Sequence, residues 1–367
     1  MKIVVFHPPM YPVNHLFYNM LGELAEVILY SFGEYPLLHK SWNVHEMKKS
    51  ATNYKIKLFG SGSESFKNQV NPLVFKELII DKPDFVISMA FWIPSLYGSL
   101  LKKMFGFKFL ITTDAIVETE KNISSTRKKL RKMICKHTDM FISASSLSTK
   151  YLNTLCSSIK ITESLQTIDT LEWKKDFDSL SQKDKLKEEL GLPIDKTILF
   201  GVGGFIPKKN WESMLEQIKE LDDCIFVLVG AGVLEDKYHD MIKTLGLEEK
   251  VKMVTRKEGN ELKKYFKVSD IFIFPSFYDQ FGYVVLEALV SELPVICSKN
   301  SGASSIVEDG KNGFIIDPDK PYINEIRMII DDLDRFKKDA FLTMQKHTLQ
   351  NKAKEWFMIL KGLENEA

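Results

Sequence analysis

Hydrophobic positions along this chain form short continuous runs that are separated by amphipathic segments. In the first half, runs rich in Val, Ile and Phe predict strands at 2–6, 26–30, 84–89, 108–113 and 139–145. In the second half, similar runs predict strands at 197–203, 224–230, 250–255, 270–275, 293–298 and 313–317. Unbroken apolar runs are typical of strands that are buried on both faces, as in parallel sheets.

The segments between these runs carry apolar residues at helical spacing. They predict helices at 91–105, 125–138, 182–190, 210–221, 235–245, 258–268 and 282–291. Strand and helix alternate in this way twice along the chain, which indicates two parallel sheets covered by helices. We therefore predict an α/β fold of two Rossmann-like domains facing a cleft, with the first domain at 1–170 and the second at 171–350.

The composition is that of an ordinary globular protein, with 44% hydrophobic and 27% charged residues in a chain of 367. That length favours two domains. Its four cysteines lie far apart and form no CxxC pair, which argues against a disulfide framework or a metal cluster. The first residues lack a signal-peptide pattern, and no run of about 18 apolar residues occurs. We therefore predict a cytoplasmic protein.

The charge is unevenly distributed. Residues 1–160 hold 21 Lys and Arg against 12 Asp and Glu, a net +9, whereas the rest of the chain carries −8. The densest basic stretch is STRKKLRKMICKH, 125–137, which at helical spacing separates apolar from basic positions. One interpretation is a solvated helix face, and the other is a cytosolic face that contacts anionic lipid. Nucleic acid is disfavoured, because the stretch has no interleaved aromatic residues and no known reader motif.

Two glycine-containing turns of the second half are candidates for phosphate binding. In FGVGGFIPKKNWE, a strand leads into Gly203 and Gly204, and Lys208 and Lys209 follow just before a helix. Glycines let backbone N–H groups approach an anion, although a tight turn with two surface lysines has the same pattern. In FVLVGAGVLED, 226–236, the third glycine of a dinucleotide fingerprint is missing, so a nicotinamide or flavin cofactor is weakly supported.

A third loop combines two carboxylates with a helix start. In FPSFYDQFGYVVLEALVSELPV, 274–295, a strand ends before Asp279 and a helix begins near Gly282. The N–H groups around Phe281–Val284 are then the unpaired donors of a helix N-terminus, which suits a diphosphate. Asp279 can accept hydrogen bonds from sugar hydroxyls. Glu287 lies in an otherwise apolar helix, where a carboxylate without a partner is costly, so it is a candidate for holding a ribose.

The stretch PSFYDQFGYVVLEALVSELPVICSKNSG resembles the signature of the family 4 retaining glycosyltransferases, also called glycosyl transferases group 1. Other segments of that family are matched in the same order along the chain. They are HTDMFISASSLSTKYL, ILFGVGGFIPKKN, VLVGAG and ELKKYFKVSDIFIFPS. The resemblance is strongest over 195–320. It implies the B-type fold of two Rossmann-like domains, in which a last helix, here 351–367 with AKEWF, crosses back to the first domain.

The resemblance also implies roles for individual residues. Three residues would be catalytic. Asp279 would contact the donor sugar, Glu287 the nucleotide ribose and Lys209 the leaving diphosphate. No metal and no cofactor besides the nucleotide-diphosphate sugar is implied, because Lys209 and the helix end supply the electrostatic stabilisation. The donor-binding residues would be Gly203, Gly204, Lys208, Arg256, Phe281, Gly282, Tyr283 and Val284.

Several positions depart from the family pattern. Asp279 replaces a glutamate and is one methylene shorter. Gly204 replaces a basic residue, and Lys208 and Arg256 are the candidates to compensate for it. Glu292 stands where a glycine is usual. HPPMYP, 7–12, stands where the family has a Gly-Gly loop in its first domain. His7 and Asp114 therefore become candidates for sugar or acceptor contacts.

The function that follows is retaining transfer of a sugar from a nucleotide-diphosphate sugar to a hydroxyl acceptor. A glycan or lipid-linked glycan of surface polysaccharide assembly is the expected acceptor, with peripheral membrane contact through 125–137 and no nucleic acid partner. Two alternatives stay open: a nucleotide-sugar epimerase or phosphorylase on the same fold, and an inactive homologue that only binds sugar nucleotide.

Overall fold

A computed structural model describes residues 1–37, 40, 42–63 and 65–365. It divides the chain into two units, the first formed by 1–166 together with 349–367 and the second by 167–348. The predicted boundaries, after residues 170 and 350, lie a few residues later in the chain.

The first unit alternates strands and helices from its first residue. Its strands are β1 (Lys2–His7), β2 (Glu26–Ser31), β3 (Tyr54–Leu58), β4 (Phe85–Met89), β5 (Lys108–Thr113), β6 (Met140–Ser143) and β7 (Lys160–Glu163). Its helices are α1 (Pro12–Gly22), α2 (Val44–Ser50), α3 (Phe66–Gln69), α4 (Leu73–Asp81), α5 (Ile93–Phe105), α6 (Val117–Glu120), α7 (Ser125–Cys135) and α8 (Ser146–Leu155). The strands pair in parallel in the order β3-β2-β1-β4-β5-β6-β7.

Two strands of this sheet, β3 and β7, were not predicted. Both lie at its edges, where one side of the strand has no neighbour. In YKIKL, lysines alternate with apolar residues, and KITE is partly or fully exposed throughout. The continuous apolar run that predicts a central strand is therefore missing from both, since an edge strand is buried less completely.

Helices cover both faces of this sheet. On one face, the core combines apolar residues of α1 and α2 with those of a C-terminal helix (Leu349–Asn365, numbered α17 in chain order). Trp356 of that helix packs edge-on against Phe17, and its Nε1–H donates to Ser164 Oγ at 3.1 Å. The C-terminal helix thus belongs to the first unit, as expected. On the other face, α4, α5, α7 and α8 share a second core.

The second unit is built in the same way. Its strands are β8 (Thr197–Val202), β9 (Cys224–Gly230), β10 (Val251–Thr255), β11 (Ile271–Phe274), β12 (Val295–Ser298) and β13 (Gly313–Ile316). Its helices are α9 (Thr170–Ser179), α10 (Lys183–Glu189), α11 (Trp211–Gln217), α12 (Glu235–Thr244), α13 (Gly259–Val268), α14 (Tyr283–Val290), α15 (Ile323–Asp331) and α16 (Leu333–Lys346).

The strands of the second unit pair in parallel in the order β10-β9-β8-β11-β12-β13. Each strand predicted there is present, and the two parallel α/β sheets confirm the predicted fold class. After β8 the chain adds β9 and β10 towards one edge of the sheet. It then crosses over to β11, which lies on the other side of β8. This reversal is the switch point at which open α/β sheets bind ligands, beyond the carboxyl ends of the strands.

Candidate functional site

Two loops meet at the switch point of the second unit, one after β8 and one after β11. The first contains a 3₁₀ turn, Pro207–Lys209, and the second runs from Pro275 to Gly282. The N–H of Phe277 donates to the carbonyl of Lys208 at 2.9 Å, so the two loops are hydrogen-bonded to each other. The residues predicted from each loop are therefore brought together by neighbouring strands.

Lys209 and Asp279 form an ion pair between these loops. Lys209 Nζ lies 2.7 Å from Asp279 Oδ2, and the side chains are only 14% and 16% exposed. The ammonium also lies 4.7 Å from the centre of the Phe274 ring, in the geometry of a cation–π contact. A mostly buried pair has lost much of its hydration, so each charge depends on the other for compensation.

The turn after β8 holds Lys209 in position. A Cβ placed on Gly203 would lie 3.6 Å from Lys209 Cε, so this glycine borders the lysine side chain. The next residue, Asn210, has a left-handed backbone with φ of 54°. Its side-chain amide donates to the carbonyls of Pro275 and Pro318 at 3.2 and 3.0 Å. Asn210 thus ties the turn to the β11 loop, a role that sequence reasoning missed.

The start of α14 requires a glycine. Gly282 caps the helix with φ of 94°, in the region where side chains are strained. A Cβ at this position would lie 2.9 Å from the Phe274 ring and 3.0 Å from Ser301 Oγ. The first turn of any α-helix leaves backbone N–H groups without carbonyl partners inside the helix. Gly282 and Phe274 place that turn next to the Lys209–Asp279 pair.

A third loop, after β12, braces the approach to α14. The Ser301 hydroxyl donates to the carbonyl of Phe281 at 2.6 Å, and the N–H of Ala303 donates to the same carbonyl at 2.7 Å. The N–H of Asp279 donates to the carbonyl of Asn300 at 3.1 Å. Ser301 belongs to the motif quoted above, but no role was predicted for it, since a serine in a loop carries no signal for such a brace.

Glu287 is partly buried in the second turn of α14. Its carboxylate makes no hydrogen bond or ion pair within the described residues. Burial raises the pKa of this carboxyl to about 7, and the nearby charge of Lys263 offsets part of that rise. Lys263 itself pairs with Asp176, at 2.5 Å. An unpartnered carboxyl in a helix of apolar residues is the type of group that a ligand hydroxyl can satisfy.

Residues 182–356 match the family model described as glycosyl transferases group 1. The second unit belongs to the group 1 glycosyltransferases. This confirms the family that the motif around Asp279 and Glu287 indicates.

Relatives of this chain include a galactosyltransferase named for a diphosphoundecaprenol-linked sugar and a lipopolysaccharide core biosynthesis glycosyltransferase. An Escherichia coli protein named UDP-Gal:alpha-D-GlcNAc-diphosphoundecaprenol alpha-1,3-galactosyltransferase is 28% identical over 190 residues, which cover 50% of this chain and 47% of that one. The lipopolysaccharide core biosynthesis glycosyltransferase LpsE of Rhizobium meliloti is 23% identical over 176 residues, 46% of this chain and 51% of that one. This chain spans about half, or less, of the length of the curated relatives it matches.

A solved structure extends the likeness over almost the whole chain. The crystal structure of Anabaena Alr3699/HepE in complex with UDP has a TM-score of 0.74 at 16% identity and covers 98% of this chain and 99% of that one. At this identity the match shows the fold alone, which is the B-type glycosyltransferase fold of two Rossmann-like domains.

Other predicted donor-binding residues of this chain lie around the same loops. Phe281 is buried, and its ring contacts that of Tyr283, which is 41% exposed. Val284, in the first turn of α14, is partly buried. Lys208 Nζ lies 5.8 Å from the centre of the Tyr278 ring. Gly204 is partly buried in the turn after β8.

Arg256 follows β10, at the edge of the sheet. Two strand positions separate β10 from β8, or roughly 10 Å at the usual strand spacing. Its guanidinium pairs with Glu258 at 2.6 Å, and both side chains are about 70% exposed. The structure therefore does not place it in the Lys209–Asp279 group.

The glycines of the 226–236 turn serve packing. A Cβ on Gly230 would lie 2.0 Å from the carbonyl oxygen of Gly203, and one on Gly232 would lie 2.5 Å from that of Phe205. The N–H of Phe205 donates to the carbonyl of Ala231 at 2.9 Å. These two glycines allow the β9 turn to lie directly against the β8 turn that carries Lys209.

His7 and Asp114 belong to the first unit, at the carboxyl ends of β1 and β5. His7 is buried, its Nδ1–H donates to the Pro8 carbonyl at 2.6 Å, and Nε2 has no partner among the described residues. Burial lowers the pKa of His7 to about 4, so the ring is neutral near pH 7 and Nε2 is an acceptor. Asp114 is partly buried.

The basic stretch 125–137 includes α7, and its orientation differs from the prediction. Of the apolar positions in this stretch, Ile134 is buried, but Met133 is 42% exposed. Arg131 instead turns inward, where it pairs with Glu120 at 2.5 Å and donates to the Tyr151 hydroxyl. In the part of the chain that the structure describes, no helix is long and apolar enough to cross a bilayer.

Proposed function

We propose that this glycosyltransferase moves a sugar from a nucleotide-diphosphate sugar to a hydroxyl acceptor with retention of the anomeric configuration. The observation that carries the proposal is the Lys209–Asp279 pair beside the start of α14, at the switch point of the second unit. A cation and a helix N-terminus favour a diphosphate there, whereas the carboxylate suits hydroxyl donors of a sugar.

Each group then has one task in the reaction. Lys209 and the N–H groups of the first turn of α14 stabilise the charge that grows on the diphosphate as the bond from the anomeric carbon to the phosphate oxygen breaks. Asp279 accepts hydrogen bonds from the sugar, and Glu287 accepts them from the ribose. The acceptor oxygen bonds to the anomeric carbon on the same face, and its proton passes to the departing phosphate oxygen.

We further propose that transfer needs no metal ion, since Lys209 and the helix end provide the positive charge that a cation would otherwise supply. Transfer is to be measured with a nucleotide-diphosphate hexose, with and without a chelator, and the anomeric configuration of the product read by NMR. Retained configuration and an unchanged rate with the chelator are expected. Inverted product, or a loss of rate that added metal restores, contradicts these proposals.

For the acceptor, we propose a lipid-linked glycan of surface polysaccharide synthesis. The support is the name of the Escherichia coli relative, whose acceptor is a diphosphoundecaprenol-linked sugar, and that of the lipopolysaccharide core enzyme. The basic stretch 125–137 would bring the chain to the membrane that holds such an acceptor. Comparing a diphosphoprenol-linked sugar with the same free sugar tests the proposal, which fails if the free sugar is the better acceptor.

A further inference from the structure

A cavity of about 510 Å³ lies in the first unit, where α6, α7 and α8 meet. Pockets that hold small ligands usually measure about 300 to 1,000 Å³, so this cavity has the size of a ligand site. None of the residues predicted to bind the donor or the acceptor lines it. It is therefore a separate feature from the candidate donor site of the second unit.

One face of α7 forms the basic wall of this cavity. Ser125, Lys128, Lys129 and Lys132 line it, and their spacing of i, i+3, i+4 and i+7 places them on a single face of the helix. Like charges that lie one turn apart on a helix repel each other. The three lysines and Lys121, which also lines the cavity, are exposed and have no ion-pair partner within the described residues. A bound anion would relieve this repulsion.

The carboxylate that lines the cavity, Glu120 of α6, is already balanced. Arg131 of α7 points inward, where its guanidinium lies 2.5 Å from the Glu120 carboxylate and donates to the Tyr151 hydroxyl. The side chains of this ion pair are only 13% and 12% exposed, so the pair belongs to the framework of the wall. The charge of the four lysines is left uncompensated, and the cavity therefore favours an anion.

The rest of the wall is partly apolar. Val117 of α6, Ile123 of the following loop and Leu155 of α8 line it, and Thr154 adds a hydroxyl group. A bare inorganic anion would occupy the space near the lysines and leave these apolar side chains uncovered. An anion that carries an apolar group would bury them as well, which adds a favourable hydrophobic contribution to binding.

We propose that this cavity binds a phosphate ester or diphosphate that carries an apolar group. Phosphate suits the cavity better than a carboxylate does, because a phosphate ester has about −1.5 to −2 charges near pH 7 and three acceptor oxygens, which several lysines can contact at once. Two sources share this chemistry, a soluble phosphorylated compound and the headgroup of a lipid.

The inference rests neither on sugar transfer nor on the membrane contact proposed for residues 125–137. It concerns the one face of α7 that lines the cavity, whereas Arg127 and Lys136 of the same stretch do not line it. A diffuse contact of the stretch with a membrane would use all of these cations alike. A cavity ligand depends on Lys128 and Lys132 alone among the two pairs, and this difference makes the inference testable.

The test is calorimetric titration of the full chain with hexyl phosphate and with inorganic phosphate. Lys128→Gln/Lys132→Gln removes two charges from the cavity, and the matched control, Arg127→Gln/Lys136→Gln, removes two charges from the same stretch outside it. We expect the first pair to raise the Kd of hexyl phosphate about tenfold or more and the control pair to change it less than about twofold. Wild type should bind inorganic phosphate more weakly than hexyl phosphate.

Thr154→Trp fills the cavity without changing its charge. It is expected to abolish binding of hexyl phosphate, whereas a merely basic surface would be insensitive to it. All of these variants should keep the wild-type melting temperature, because each substituted side chain is exposed. Lys209→Ala detects binding at the candidate donor site instead. Hexyl phosphate that is lost in Lys209→Ala and kept in Lys128→Gln/Lys132→Gln overturns the inference and leaves the proposed function in place.

Dihexanoyl phosphatidic acid, titrated as the soluble monomer, distinguishes the two sources. Tighter binding than that of hexyl phosphate, lowered by the same cavity variants, identifies a lipid headgroup as the ligand. Binding of hexyl phosphate alone identifies a soluble phosphate ester. The inference is overturned if wild type binds neither compound, if the two charge pairs lose binding equally, or if Thr154→Trp binds as wild type does.

Discussion

The candidate donor site in the second unit and helix α7 of the first unit both display lysines, but they use them differently. Lys209 is mostly buried and paired with Asp279 at 2.7 Å, whereas Lys128, Lys129 and Lys132 of α7 are exposed and have no ion-pair partner within the described residues. A paired, buried charge has a fixed position and suits one small ligand. Unpaired lysines on flexible stems suit anions of variable geometry.

The largest expected effect is a loss of activity, and it distinguishes Lys209 from lysines outside the candidate donor site. Lys209→Ala removes the cation proposed to stabilise the leaving diphosphate and is expected to cost about 2–4 kcal/mol of transition-state stabilisation, measured as kcat/KM. Lys237→Ala is the control, since Lys237 is 55% exposed and pairs with Glu212 on the surface. Equal losses for the two variants would contradict the site.

The pH dependence of stability is expected to follow Glu287. Because burial raises its pKa from 4.5 to about 7, the folded protein holds this proton more tightly than the unfolded chain does. The protein should therefore lose stability as the pH rises from about 4.5 through about 7, by an amount on the order of 2 kcal/mol relative to Glu287→Gln. Denaturant unfolding of both proteins across this range measures it, and parallel pH curves would refute the assignment.

Asp279→Asn tests the ion pair between Asp279 and Lys209. The substitution leaves Lys209 without its carboxylate, which is expected to lower the free energy of unfolding by about 1–2 kcal/mol. A nucleoside diphosphate should bind the variant more tightly, about tenfold, since a negative neighbour of its phosphates is removed, while sugar transfer falls. Calorimetric titration with the diphosphate gives the first value. Weaker binding by the variant would show that Asp279 does not compete for Lys209.

The smallest effect is expected on helix α7. Lys132→Ala should change the free energy of unfolding by less than about 0.5 kcal/mol, because the side chain is exposed and has no ion-pair partner in the described part of the chain. A chemical denaturation curve suffices, and a loss comparable to that of Asp279→Asn would erase the distinction between the two regions.

The sequence was most informative where local pattern and tertiary structure agree. The strands of the second sheet are buried on both faces, so their apolar runs predicted them, and Glu287 stood out because it interrupts an apolar helix. The edge strands β3 and β7 were missed, since a half-paired strand tolerates polar residues. In the same way, the exposed Ile79 and Leu100 have the residue types of a core, and only the fold shows that they face outward.

Contacts between distant segments could not be predicted from the pattern of residues along the chain. Lys209 and Asp279 were each predicted from their own loops, but their ion pair joins segments 70 residues apart. The brace from Ser301 and the double hydrogen bond of Asn210 also depend on loops that meet only after the strands have paired. Such roles follow from topology, which residue type alone does not encode.

A crystal structure of the chain with a nucleotide-diphosphate sugar tests the central claim most directly. The account predicts phosphate oxygens within hydrogen-bond distance of Lys209 Nζ and of N–H groups in the first turn of α14, sugar hydroxyls on Asp279 and ribose hydroxyls on Glu287. A donor bound away from the β8 and β11 loops, or one that leaves Lys209 paired with Asp279 alone, would contradict it.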